Sequence, residues 1–281
     1  MKRAGNAFKT RQAAAAFDRH LYSINRLKQK RIIMKILIVN DDGIDGIGLR
    51  VLASWSRKLG KVTVAAPKFE QSAKSQAIIL RRAFKVERSD ALSDLGIEAY
   101  SVDATPADCV RYAVDRIGDD FDLVFSGMNN GINLGHDISY SGTVGASFEA
   151  NYAGIKSVSF STVFGNIEKA AAWLDPVWEF MEKRSALAHC PLWNVNIPEE
   201  PKGILLTEQG RNFYRDHFLE PEPGMFRAQY YVTREAGDAE IDVNFDIDAI
   251  LEDYCSVTPL TTRKTDYNAL EKTRAFEKSL N

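Results

Sequence analysis

Residues 34–43 read Met34-Lys35-Ile36-Leu37-Ile38-Val39-Asn40-Asp41-Asp42-Gly43. A short apolar run ends abruptly in two adjacent carboxylates, the pattern of a buried β-strand opening into a loop. In an open α/β sheet, ligands bind just beyond the carboxyl ends of the strands. Asp41 and Asp42 therefore fall where a site is expected. Side-by-side carboxylates repel unless a cation or a proton lies between them, and a divalent metal is the simplest resolution. A solvated turn is the plainer alternative, since Asp and Gly are common turn formers.

Outward from this strand the pattern alternates. Apolar spacing predicts a helix over 47–59, a strand over 61–66 closed by Pro67, and a helix over 107–117. That last helix is opened by Thr105 as N-cap and Pro106 at the first helical position. Strands follow at 122–126, 156–161 and 193–196, and helices at 144–153 and 168–183. Strands separated by helices indicate βαβ units, hence an α/β fold around a mostly parallel sheet. Beyond residue 200 the character changes. Segments 227–233 and 240–245, around Glu235-Ala236-Gly237-Asp238, read as a projecting β-hairpin. A strand over 254–260 and a polar C-terminal helix over 266–280 complete the chain. A hairpin and a tail helix with no core of their own are candidates for oligomer contacts, so the region around 200–250 is expected to serve oligomerisation and 263–281 to form a helical tail.

The 281 residues, 45% hydrophobic and 26% charged, are an ordinary globular composition. No apolar run approaches the roughly 18 residues that span a bilayer, so no membrane span is expected. Cys109, Cys190 and Cys255 are far apart, which disfavours a disulfide scaffold or structural zinc and makes a reducing cytoplasm the default. His20, His136, His189 and His217 show no metal-ligand spacing. The net charge of −2 hides an asymmetry: residues 1–33 carry nine Lys/Arg against Asp18, and the remainder carries 27 basic against 37 acidic residues. Such an acidic body is not a nucleic-acid duplex binder, which would show a basic patch. The basic N-terminal extension admits three readings: a transit peptide, an arm for an anionic surface, or an unstructured leader. The third is preferred, because a complete strand signal begins at Met34.

Three polar clusters each follow an expected strand: Asp41-Asp42-Gly43, then Pro67-Lys68-Phe69-Glu70-Gln71-Ser72, then Ser126-Gly127-Met128-Asn129-Asn130-Gly131. Loops at one edge of a parallel sheet meet in space. Carboxylate, hydroxyl and amide oxygens without His or Cys suit a hard cation such as Mg²⁺, Mn²⁺ or Ca²⁺. Ser141-Gly142-Thr143-Val144-Gly145-Ala146 opens a helix, whose N–H groups and dipole make a ready anion site; taken alone, this is equally an ordinary N-cap. Gly43-Ile44-Asp45-Gly46-Ile47-Gly48 has the wrong glycine order for a dinucleotide loop, and its flanking acids would repel a pyrophosphate. Adjacent aspartates also differ from the Asp-x-Asp of haloacid-dehalogenase phosphatases, so an aspartyl-phosphate intermediate is not favoured.

Taken together, these motifs resemble the survival protein SurE family of metal-dependent nucleoside monophosphate phosphatases. The resemblance covers about residues 34–262. It rests on the 36–44 opening, Val64-Ala65-Ala66-Pro67 with Gln71-Ser72, Thr105-Pro106-Ala107-Asp108-Cys109-Val110, Ser126-Gly127-Met128-Asn129 with Gly131, Asn133-Leu134-Gly135, Tyr140 through Ala146, and Ser256-Val257-Thr258-Pro259-Leu260. The joint order of these segments is highly specific. The resemblance implies a Rossmann-like three-layer α/β/α core with a β-hairpin and C-terminal extension, assembled into a homodimer or homotetramer. It implies one divalent cation per subunit, Mg²⁺ or Mn²⁺ with Ca²⁺ a further candidate, bound by Asp41, Asp42, Ser72 and Asn129. Asp41 and Asp42 are then the catalytic residues, and Asn129, Asn130, Ser141, Gly142, Thr143 and Gln76 face phosphate or substrate. The implied activity is 5′-nucleotidase, with 3′-nucleotidase and short-chain polyphosphatase as family variants. A phosphatase for another ester and a catalytically silent nucleotide-binding oligomer are the alternatives. Three departures stand out: Ala73 and Ala104 replace the family's usual glycines, and Gln76 its usual histidine. They leave the implied metal ligands in place and bear on substrate preference.

Overall fold

The computed structural model describes residues 33–233 and 241–279; the basic extension up to residue 32 and the 234–240 segment lie outside the described residues. A nine-stranded sheet has the order β3-β4-β2-β1-β5-β6-β7-β11-β8. Its strands are β1 (Met34–Val39), β2 (Gly60–Pro67), β3 (Val86–Ser89), β4 (Glu98–Val102), β5 (Leu123–Asn130), β6 (Lys156–Thr162), β7 (Leu192–Ile197), β8 (Gly203–Leu206) and β11 (Tyr254–Pro259). The pairs β1/β5, β5/β6, β6/β7, β2/β4 and β8/β11 are parallel. Within this sheet β3/β4 and β7/β11 pair antiparallel. The chain leaves β1 toward β2 on one side and returns to β5 on the other. This reversal of winding direction opens a crevice beyond the ends of β1 and β5, the usual ligand position in such sheets.

The helices are α1 (Ile47–Ser56), α2 (Pro106–Tyr112), α3 (Gly142–Tyr152), α4 (Ile167–Ala170), α5 (Leu174–Lys183), α6 (Ala186–His189), α7 (Asp246–Leu251) and α8 (Tyr267–Ser279). Two layers of core fix the site from below. On one face, Leu37 and Val39 of β1 and Val124 of β5 pack with Val110 of α2 and Ala150 of α3. On the other face, Phe125 meets Trp55 of α1 and Trp178 of α5, with ring centroids 5.6 and 5.5 Å away. Val124 and Phe125 are consecutive and point to opposite faces, as strand alternation requires. Each such buried side chain contributes about 1.5–3 kcal/mol, so the loops beyond β1 and β5 rest on a packed base.

Several expected elements are revised. The projecting hairpin is β9 (Tyr214–Glu222) paired with β10 (Met225–Val232), and it turns at Pro223-Gly224. The expected second strand does not form over the described residues 241–245, which are coil and turn, with Phe245 making only an isolated bridge to Glu208. The turn expected at Glu235–Asp238 falls outside the described residues. Both faces of the two-stranded ribbon are largely exposed, so burial imposes no alternation on β9. The helix expected over 168–183 is broken into α4, a 3₁₀ turn and α5, with Pro176 in the first turn of α5, where no backbone N–H is required. The 107–117 helix ends as α2 at Tyr112 and continues as a π-turn over Ala113–Ile117.

Candidate active site

Where β1 ends, Asn40 is fully buried, and its Nδ2 donates to the Gly43 carbonyl at 2.9 Å, closing the turn that carries Asp41 and Asp42. The loop after β2 is sewn onto this turn. Ile44 N–H donates to the Pro67 carbonyl at 2.8 Å, and Gln71 N–H donates to the Asp41 carbonyl at 2.7 Å. Those two bonds bring Ser72 to the same rim. Ser72 Oγ donates to Glu70 Oε1 at 2.6 Å.

β5 reaches the rim through a bulge. Ser126 pairs with Ser159 and Asn129 with Ser161, so three steps on β5 match two on β6. An extra residue of this kind re-aims the side chains that follow it. The Asn129 amide donates to the Gly131 carbonyl at 2.7 Å, which leaves its Oδ1 as an acceptor. The next residue, Asn130, donates its backbone N–H to Asp42 Oδ2 at 3.3 Å, while its own Oδ1 accepts from Gly165 N–H at 2.7 Å.

The start of α3 closes the rim from the other side. Ser141 is its N-cap and accepts from Val144 N–H at 3.1 Å. Thr143 donates its hydroxyl to Asp41 Oδ1 and its N–H to Asp41 Oδ2, the latter at 3.2 Å. A Cβ added to Gly142 would meet the Asp41 Cβ at 2.9 Å. Glycine is required there by this approach of helix to carboxylate.

The electrostatics are those of an unbalanced acidic pair. Asp41 is 5% exposed. Burial pushes its carboxyl up to about 6, with the Asp42 charge adding to the rise and the Thr143 bonds opposing it. Asp42 is also raised, first by burial and further by the charge of Glu70, against the opposing bond from Asn130. Among the described residues, no Lys, Arg or His pairs with Asp41, Asp42 or Glu70. Nor do three His, Cys, Asp or Glu side chains gather closely enough to hold a metal by themselves. Any cation here would depend on neutral oxygens as well; Ser72 stands on the loop after β2, whereas Asn129, expected in a loop, lies near the end of β5.

Gln76 is turned elsewhere. Its Nε2 donates to Glu149 Oε2 on α3 at 2.7 Å, and Glu149 also faces Arg111 at 3.8 Å. Ser75 N–H donates to the Tyr140 carbonyl at 2.9 Å, and Ser75 Oγ donates to the Ser139 carbonyl. A Cβ on Gly145 would lie 2.3 Å from the Ser75 carbonyl oxygen, so this loop rests directly on α3. Within it, Ala73 and Ser75 adopt φ of 58° and 54°, left-handed conformations that favour glycine. Sequence reasoning placed Glu70 in the right loop but gave it no role. Its position two residues before Ser72 was the available signal. The commitment of Thr143 to Asp41 had no local signal, because 102 residues separate the two.

Fold and site together define a Rossmann-like α/β protein with an acidic, oxygen-lined rim at its switch point. Comparison with known proteins is specific. The profile of the Survival protein SurE family matches residues 36–216, and the chain belongs to that family. A "5′-nucleotidase SurE" of Thermosipho africanus is 38% identical over 250 residues, covering 85% of this chain and 96% of the relative. "5′-nucleotidase SurE 1" of Thermus thermophilus is 37% identical over 244 residues, covering 85% and 96%. The crystal structure of the SurE protein from Aquifex aeolicus superposes with a TM-score of 0.70 at 33% identity, covering 86% of this chain and 99% of that one.

Proposed function

We propose that the chain hydrolyses nucleoside monophosphates to nucleoside and phosphate, with one divalent cation per subunit, Mg²⁺ or Mn²⁺, held by Asp41, Asp42, Ser72 and Asn129. The observation that carries this reading is the buried Asp41 carboxylate beside Asp42, with no cationic side chain paired to either among the described residues, at a rim that also presents a helix N-terminus. The names of the relatives agree with it. The donor set fits a hard cation: two carboxylates and two neutral oxygens, with no nitrogen or sulfur. When bound, such an ion neutralises phosphate oxygens and lowers the pKa of a coordinated water.

The chain's own residues divide the remaining work. Thr143 fixes the orientation of Asp41 through both of its donors. This engagement leaves Asp42, which is less buried and holds one bond from Asn130, as the acceptor of a proton from the attacking water. Ser141 accepts from Val144, and its own hydroxyl proton is available to a phosphoryl oxygen. The Gly142 N–H, at the first helical position, points the same way with the helix dipole. Asn130 contributes through its main chain.

The β9–β10 ribbon exposes Phe218, Met225 and Phe226, each more than 60% accessible. We assign it as the contact of a homodimer or homotetramer, to be read by light scattering on the intact chain. Cys109, Cys190 and Cys255 are all free thiols, and the proposed location is the cytoplasm. Among the described residues no helix is long and apolar enough to cross a membrane.

A panel of nucleoside 5′- and 3′-monophosphates, sugar phosphates and short polyphosphates, assayed for phosphate release with Mn²⁺ and with EDTA, tests the activity. The reading predicts metal-dependent release with nucleotides preferred. Preference for a sugar phosphate would favour the second ester reading, and nucleotide binding without release would overturn catalysis.

A further inference from the structure

β7 carries two amides where a core strand ordinarily carries aliphatic side chains. Asn194 and Asn196 are 1% and 0% exposed, and they share one face of the strand because side chains alternate. Val195 and Ile197, equally buried, hold the opposite face. An amide in such a place is costly unless its donors and acceptor are matched. Both are matched, and they converge on one residue. Asn196 Oδ1 accepts from the Asn133 N–H at 2.8 Å, and Asn196 Nδ2 donates to the Asn133 carbonyl at 2.9 Å. Asn194 Nδ2 donates to the same carbonyl at 2.8 Å, while Ser159 Oγ donates to Asn194 Oδ1 at 2.8 Å. The Asn133 side chain adds its own bond to Ser161 Oγ at 2.8 Å. The Asn196 amide therefore grips both main-chain groups of Asn133, as a neighbouring strand would, where the chain has already left the sheet.

Asn133 lies between β5 and α3, four residues after Asn129 and eight before Ser141. The carbonyl two residues back, on Gly131, is the one that accepts from the Asn129 amide and leaves Asn129 Oδ1 as an acceptor. On the other side of Asn133 the chain is held independently. Gly135 N–H donates to Asp246 Oδ2 at 2.9 Å, and the Gly135 carbonyl accepts from Gln209 Nε2 at 2.9 Å. Releasing Asn133 would thus loosen the stretch toward Asn129 and leave the approach to Ser141 anchored.

We infer that Asn196 is a positioning residue for Asn129: by fixing the main chain of Asn133 it fixes the Gly131 carbonyl, and with it the rotation of the Asn129 amide. The inference rests on the metal site proposed above and adds the buried side chain that orients one of its ligands.

The test titrates Mn²⁺ calorimetrically into the chelated full-length protein and its Asn196→Ala, Asn194→Ala, Asn129→Ala and Ser157→Ala variants, with folding checked by circular dichroism. In parallel, kcat and KM for AMP are measured at saturating Mn²⁺. Ser157 is the control for general destabilisation: its buried hydroxyl donates to the Ser147 carbonyl at 2.8 Å, toward the opposite end of β6. Asn196→Ala should weaken Mn²⁺ binding about tenfold, within the usual cost of losing a group that orients a metal ligand. It should lower kcat and leave KM for AMP nearly unchanged. Asn194→Ala removes one bond to the Asn133 carbonyl and should act in the same direction to a smaller degree. Ser157→Ala should lower Tm alone. Wild-type Mn²⁺ affinity in folded Asn196→Ala, or an equal loss in Ser157→Ala, would overturn the positioning role, and a loss confined to Asn129→Ala would do so while keeping the metal reading. If Asn196→Ala does not fold, wild-type affinity in Asn194→Ala overturns the role instead. Undiminished Mn²⁺ binding in Asn129→Ala would count against both readings.

Discussion

Thr143 and Asp41 are joined twice: the threonine hydroxyl meets one carboxylate oxygen and its N–H meets the other. A single residue at the second position of α3 thus sets the rotation of a buried acid at the end of β1, and so couples the helix start to the acidic rim. Removing the hydroxyl while keeping the shape should loosen that coupling. Thr143→Val is expected to weaken Mn²⁺ binding and phosphate release by about 10- to 100-fold, the usual cost of losing a bond that orients a metal ligand. Thr143→Ser, which keeps the hydroxyl, should recover most of it. Equal behaviour of the two variants in metal titration would deny Thr143 this role.

The contact between α3 and Asp41 also has a steric side. Gly142→Ala places a Cβ at 2.9 Å from the Asp41 Cβ and 3.0 Å from its Oδ2. The carboxylate or the helix must then shift. A displacement of about 1 Å at a reacting centre costs on the order of 100-fold. The expected outcome is a folded protein with turnover reduced by about that factor, checked by circular dichroism and steady-state kinetics.

Burial of Asp41 predicts how stability depends on pH. Its folded value of about 6 lies above the ordinary 3.8. Between about pH 4 and 6, the folded chain holds a proton that the unfolded chain has lost, so stability falls as pH rises through that window. The cost levels off above it, at about 3 kcal/mol. A bound divalent cation offsets this cost by compensating the charge. The rise in Tm on adding Mn²⁺ should therefore be larger at pH 7.5 than at pH 5, measured by differential scanning fluorimetry. A larger rise at pH 5 would contradict the assignment.

The two alanines that stand where the resemblance leads one to expect glycine are not equivalent. Ala73 sits at φ 58°, whereas Ala104 is buried and lies outside the left-handed region. Left-handed backbone costs an L-residue about 1–2 kcal/mol, against about 0.5–1 kcal/mol for the greater unfolded-state freedom of glycine. Ala73→Gly is expected to leave Tm unchanged or raise it slightly, and Ala104→Gly to lower stability by about 1 kcal/mol, both read from thermal melts.

What was legible in the sequence was what depends on short range and on burial. The β1 run and its two aspartates, the polar loop after β2 and the Ser141 cap are local patterns, and each lies where the alternation of strands and helices put it; the polar cluster 126–131, expected in a loop after a strand ending at 126, instead lies within β5 as far as Asn130. The mostly parallel sheet followed from the same alternation. The reading failed where burial imposes no pattern. The β9 strand has two open faces, so its polar residues hid it, although Pro223-Gly224 was a turn signal of the right kind. Gln76 could be placed in the loop that follows Ser72, but its attachment to Glu149 depends on how that loop lies across α3. Likewise, the β5 bulge and the double bond from Thr143 to Asp41 arise only once distant segments pack.

Isothermal titration of Mn²⁺ into the chelated full-length protein, compared with Asp42→Asn and Asn129→Ala variants shown to be folded, tests the central claim most directly. The account predicts one site per chain in the wild type and a loss of at least tenfold in affinity in both variants, with phosphate release from AMP falling in parallel. Undiminished binding in those variants, or full turnover after exhaustive chelation, would contradict it.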